Sequence, residues 1–233
     1  MLISCLLVSH DKPEWCREAL NSVATQSYSR WECLVMDSGV LFDAGYFSPF
    51  KNESRFKFIR STETNEMRQT KAMAPWCYNE CFRRGIVNGE LVVYLCDDDL
   101  YYANAFETFV DYARANPHVA AMYASQDLAV IKADGHRAIT GERRALALGG
   151  RCCKGRVLDS QVDYAQMAHK RSVLKMIKGN ERQEWWPEGK DTEGHADGIF
   201  MEKIGSVAPF YPIDIKVSQN RRTPKSLNCP SCI

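Results

Sequence analysis

No GxGxxG or Walker-type loop stands between the first strand-like run and the helix that follows it, which argues against a dinucleotide dehydrogenase or a P-loop NTPase. There is no excess of either charge: 30 Lys and Arg face 29 Asp and Glu, so the broad basic field of a nonspecific nucleic-acid binder is missing and any anion must be met locally. No apolar run is long enough to cross a bilayer. The opening MLISCLLVSHDK has no basic leader and reads as a first strand, so the chain is expected to be cytoplasmic. Ten cysteines are present, but Cys5, Cys33 and Cys96 sit inside apolar runs and read as buried thiols. The Cys229-Pro-Ser-Cys232 pair has no second CxxC or His pair to complete a zinc site, and it lacks the helix start of a redox motif. No internal repeat or linker divides the 233 residues, which suit one domain.

The pattern that is there alternates strand and helix. Residues 2–8 read as a strand, Pro13 opens a helix to about Val23, and Glu32–Met36 and Phe56–Arg60 are further strands. A helix is expected from about Arg68 to Val87, and then the buried strand that begins LVVYLC. Next come a helix over Ala105–Asn116, a strand from Val119, a hairpin turning at Ala133-Asp134-Gly135, a strand over Val162–Ala168, a short helix over Ser172–Ile177 and a helical pattern at Ile199–Ile204. Gly141–Arg156 reads as a surface loop. This order predicts an α/β fold with a mostly parallel central sheet flanked by helices.

Three of the strands end in polar groups: Ser9, His10 and Asp11; Asp37; and the triplet Asp97, Asp98 and Asp99. Ligands of open α/β sheets bind outside the carboxyl ends of strands, so these groups are expected to converge on a nucleotide. Three adjacent carboxylates repel one another when ionised, and a divalent cation is the natural compensation.

The order ISCLLVSHDKPEWCREALNSVATQSY, LVMDSG and NGELVVYLCDDDLY resembles the inverting family 2 glycosyltransferases with a GT-A fold, of the spore coat polysaccharide glycosyltransferase type. VDYAQMAHKRSVLKMI, WWPEG, HADGIFMEKI and PFYPID extend the likeness over about residues 2–215. The resemblance implies transfer of a sugar from a nucleoside diphosphate sugar, UDP or dTDP ahead of GDP, to a carbohydrate or other hydroxyl-bearing acceptor. It places nucleotide binding at Ser9, His10, Asp11, Asp37, Arg68, Lys71, Asp97 and Asp98. It gives Mn²⁺ or Mg²⁺ binding to Asp98 and Asp99, and the role of general base to Asp197, with Asp191 and Glu193 as rivals. It implies a nucleotide-sugar half over 1–100, an acceptor half over 101–215 and a flexible tail over 216–233. Many members carry a late metal-binding His, and none follows His195 here; Arg221 and Arg222 in the tail are offered instead as diphosphate contacts. Trp185 and Trp186 are candidates for stacking on a sugar, or for the core; Asp163 and His169 read as structural hydrogen-bonding residues. Two other functions stay open: a sugar-phosphate nucleotidyltransferase, although SHDKPEW lacks its Gly-rich basic signature, and a sugar-nucleotide or glycan-binding module without turnover.

Overall fold

The computed structural model describes residues 1–39, 47–61, 65–132, 134–145, 162–177 and 183–222. Its elements in chain order are β1 (Ile3–Ser9), α1 (Pro13–Ala24), β2 (Trp31–Asp37), β3 (Phe56–Arg60), α2 (Asn65–Thr70), α3 (Met73–Arg83), β4 (Leu91–Cys96), β5 (Leu100–Tyr101), α4 (Ala105–Ala115), β6 (Ala121–Ile131), β7 (Arg137–Arg143), β8 (Met167–Lys170), α5 (Ala196–Gly205) and β9 (Phe210–Arg222). The strands form one sheet in the order β3-β2-β1-β4-β8-β6-β9-β5, with β7 also paired to β6. β3, β2, β1 and β4 run parallel to one another, β8 pairs antiparallel with β4 and β6, and β6 and β9 run parallel.

The parallel half is covered on both faces, and its strands alternate between two cores. Ile3, Cys5, Leu7, Leu91, Val93 and Leu95 face the side covered by α1 and α4. Leu6, Val8, Val92 and Tyr94 face the side covered by α3 and α5. This is why those runs are apolar at every position rather than at every second one. Pro13, pre-set for a helix, stands in the first turn of α1, and Cys16, Ala19, Leu20 and Val23 are its buried stripe at helical spacing. The hairpin from β6 to β7 turns where expected, with Gly135 at φ 80°, a conformation that favours glycine. Among the described residues, six cysteines are free thiols, and no helix is long and apolar enough to cross a membrane.

Four sequence expectations change, the first being the loop expected from Gly141, which is strand β7 as far as Arg143 because residues 141–143 pair with β6. The helix expected over Arg68–Val87 is two helices, because the chain at Lys71 and Ala72 is captured by another segment: Lys71 bridges Gly189, and the Ala72 amide donates to the Glu188 carbonyl at 2.8 Å. The strand expected at Val162 begins at Met167, after a 3₁₀ turn over Tyr164–Gln166 that the Asp163 side chain caps. The tail expected from 216 is β9 as far as Arg222, held between β6 and β5; residues 223–233, with Cys229 and Cys232, lie outside the described residues, as do 146–156 of the expected loop.

His169, on β8, is buried beside Tyr94, whose hydroxyl lies 2.7 Å from Nε2, and burial lowers its pKa to about 4. The folded pKa is below the ordinary value, so this residue's contribution to stability is complete above about 6.5 and is lost as pH falls toward 4. Urea unfolding should show wild type losing stability relative to His169→Gln across that window, by at most about 1.4 kcal/mol per pH unit. Other titrating groups act in both proteins and drop out of the difference.

Candidate active site

A cleft of about 510 Å³ opens at the carboxyl ends of β1 and β4. It is walled by His10, Lys12 and Ser38 from the loops after β1 and β2, by Asp97–Asp99 after β4, by Asp197 on α5 and by Asn220–Arg222 on β9.

The triplet is almost wholly buried, with Asp97, Asp98 and Asp99 exposed by only 3%, 8% and 1%. Each carboxylate is met by a donor, and Asp97 and Asp98 share one. Asp97 accepts the His10 amide at 2.7 Å and lies 3.2 Å from the Lys12 ammonium. Asp98 is 2.8 Å from the same ammonium. Asp99 accepts the Arg221 amide at 2.8 Å and the Asn220 side-chain amide at 3.3 Å. Burial pushes the Asp97 carboxyl up to about 7 against the opposing pull of Lys12. Burial, and then Asp163 and Asp98, push Asp99 well above the carboxylate range. Burial works against the Lys12 ammonium, yet Asp97 and Asp98 hold its pKa above the ordinary value.

His10 is exposed on the cleft wall, its Nδ1 3.2 Å from the Ser38 hydroxyl. Arg68 packs onto the same imidazole, with Nη1 2.9 Å from Nε2, and donates to the Ser38 carbonyl. Burial and then Arg68 lower the His10 pKa, which favours the neutral ring. Ser9, Asp11 and Asp37 stand behind this wall rather than on it. Asp37 is fully buried, 3.2 Å from Arg60, and Asp11 adopts φ 49° beneath Gly39. A Cβ at Gly39 would fall 2.1 Å from Asp11 Oδ1 and 2.8 Å from the Asp11 amide. Gly39→Ala must therefore move backbone, and a thermal melt should show it destabilised by about 1–3 kcal/mol.

Several candidates are placed elsewhere. Lys71 is held away from the cleft at Glu188 (3.0 Å) and Glu184 (3.9 Å). Glu188 is buried and also accepts from Asn79 at 2.8 Å and from Arg83, so it anchors the Trp-rich segment to α3. Trp185 packs edge-on against Phe82 and donates to the Leu174 carbonyl. Trp186 lies at the cleft floor but is 1% exposed and stacked on Phe200 at 4.0 Å, which makes it core rather than a sugar platform. Arg221 is not a mobile contact. It is 2% exposed, and its guanidinium donates to Glu18 at 2.5 Å and to the Trp15 and Asp99 carbonyls at 3.3 Å, bracing the loop that carries the triplet. Arg222 is exposed on the cleft wall.

Of the three acids offered as base, Asp197 and Glu193 line the cleft and Asp191 does not. Glu193 is paired with Lys190 at 2.6 Å. Asp197 stands in the first turn of α5 and accepts the Gly198 amide at 2.8 Å, where a helix N-terminus favours a carboxylate. The sequence reading passed over Lys12, Arg143 and Asn220 on the wall. Lys12 had a legible signal, being the cation in SHDKPEW facing an acidic triplet; Arg143 and Asn220 depend on pairings of β6 with β7 and β9 that no local pattern announces.

Among the described residues no three His, Cys, Asp or Glu side chains converge as a closed metal cage. Asp99, expected as a metal ligand beside Asp98, is engaged instead by the Arg221 amide and Asn220; the oxygen-only pair Asp97 and Asp98 suits a hard cation that takes one or two carboxylates and completes its shell with phosphate.

The chain has a GT-A fold. Crystalline TarS of S. aureus in complex with UDP-GlcNAc matches it with a TM-score of 0.67 at 11% identity, over 95% of this chain and 59% of the TarS chain. The mannosyltransferase PcManGT of Pyrobaculum calidifontis, in complex with GDP-Man and Mn²⁺, matches with a TM-score of 0.62 at 16% identity, over 94% of this chain and 56% of that one. In sequence, the chain is 25% identical over 228 residues to Protein CgeD of Bacillus subtilis (strain 168). That match takes in 96% of this chain and 51% of CgeD, so the chain spans about half the length of this curated relative. No protein-family model matches.

Proposed function

We propose that the chain is an inverting, metal-assisted glycosyltransferase of family 2, which moves a sugar from a nucleoside diphosphate to a hydroxyl-bearing acceptor. The observation that carries the reading is that one cleft, at the carboxyl ends of the strands of a GT-A fold, brings the Asp97–Asp99 triplet together with His10, Arg68 and the α5 carboxylate Asp197. The complexes of TarS with UDP-GlcNAc and of PcManGT with GDP-Man and Mn²⁺ support it.

His10 and Arg68, meeting over Ser38, would hold the nucleoside. Asp98, with Asp97 beside it, would hold Mn²⁺ or Mg²⁺, and the cation would neutralise charge developing on the departing diphosphate. Asp197 would take the acceptor proton as the acceptor oxygen bonds to the anomeric carbon and the bond from that carbon to the diphosphate breaks. One displacement of this kind inverts the anomeric centre. Residues 1–100 would serve the donor, and 101–215 the acceptor.

Calorimetry with UDP, dTDP and GDP, with and without Mn²⁺, tests the reading. Binding of at least one of them should depend on Mn²⁺ and should weaken by about tenfold or more in Asp98→Asn. Failure of all three to bind in the presence of metal would reject it. Release of pyrophosphate in place of a nucleoside diphosphate would move the protein to the nucleotidyltransferases.

A further inference from the structure

Lys12 sits just before the first turn of α1, and its carbonyl accepts the Cys16 amide at 2.9 Å, so its backbone is fixed by the helix. Its ammonium lies 2.8 Å from Asp98 and 3.2 Å from Asp97, and its side chain is 18% exposed. The two carboxylates on which the proposed function seats a metal are thus already bridged by a cation belonging to the protein. Arg221 cannot perform that service for a shared seat, because its guanidinium is tied to Glu18 and to main-chain carbonyls. Lys12 can leave. Its four-carbon stem turns without moving the helix, and it borders the open cleft.

We infer that Lys12 is the resident cation of the Asp97–Asp98 seat, and that a divalent metal arriving with the donor diphosphate takes its place. This rests on the metal-assisted reading above. An ammonium and a dication on the same pair of carboxylates repel each other, so binding either weakens the other. Before any ligand arrives, Lys12 holds the two buried carboxyl groups together and so sets their positions. Once displaced, its three N–H donors face the space beside the carboxylates, where diphosphate oxygens would lie. Lys12 is therefore a positioning residue, and the exchange makes metal affinity low without nucleotide and high with it.

Electron paramagnetic resonance of free Mn²⁺, titrated with wild type, Lys12→Met and Lys12→Arg in the absence of nucleotide, tests this. Lys12→Met should bind Mn²⁺ about tenfold or more tightly than wild type, while Lys12→Arg, which keeps the charge, should stay close to wild type. A residue with only a structural role would lower metal affinity when removed, not raise it. Added Mn²⁺ should also raise the melting temperature of Lys12→Met more than that of wild type. If Lys12→Met folds only when Mn²⁺ is present, the metal is replacing the missing ammonium, which supports the exchange; Lys12→Gln then serves for the titration. Equal or weaker Mn²⁺ binding by Lys12→Met, with UDP-dependent Mn²⁺ binding intact in wild type, overturns the role of Lys12 and spares the function. Absence of Mn²⁺ binding in every protein, with or without UDP, overturns both.

Discussion

Asp197→Asn should slow sugar transfer by about 10²–10⁴-fold at saturating donor and acceptor, the range lost with a general base. UDP affinity should hardly change. The variant keeps the size of the side chain and an oxygen that can still accept the Gly198 amide at the start of α5, so the helix and the cleft wall remain. It loses the charge needed to receive the acceptor proton. A coupled assay of released UDP gives the rate, and calorimetry gives the affinity. Glu193→Gln and Asp191→Asn are the controls: Asp191 is exposed away from the cleft, and the carboxylate of Glu193 is 2.6 Å from Lys190. A large loss in Glu193→Gln with an active Asp197→Asn would reassign the base.

Arg221→Met should cost about 2–4 kcal/mol of stability, seen as a lower urea midpoint with an unchanged slope. Hydrophobic volume is roughly conserved, so the cost comes from polar groups left behind. The Asp98, Asp99 and Trp15 carbonyls lose the guanidinium donor, and Glu18 is left with Arg137 at 3.9 Å. Glu18 is half exposed and can turn to water, which keeps the figure below that of a fully buried ion pair. Lysine is no remedy, since a single ammonium cannot reach donors' partners that lie on both α1 and the loop after β4. Arg221→Lys should recover less than half of the lost stability.

The parallel half of the fold was legible because its strands are buried on both faces and say so at every residue; β1, β2 and β4 lie as the pattern required, and of the polar groups at their ends His10 and the triplet reach the cleft. The errors fell where a partner distant in sequence decides the matter. Nothing around Lys71 signals that Glu188 will break the helix there. The QNRR segment is polar enough to suggest a solvated tail, and only the β6 ladder and the triplet's need for donors make it a strand. For Trp185 and Trp186 the choice between a sugar surface and the core stayed open, because a sequence does not display Phe82 and Phe200 opposite them. In the site, residue types were readable and pairings were not: His10 and the triplet line the cleft, whereas Asp37 is turned inward to Arg60.

The bond from the Arg221 amide to Asp99 spans 122 residues of chain. The acidic loop is therefore translated long before the strand that steadies it, and a growing polypeptide released or cut ahead of β9 would carry the cleft with one wall absent. Contacts this far apart close late and slowly, so ligand competence should emerge at the last stage of refolding, behind most of the recovery of helical signal.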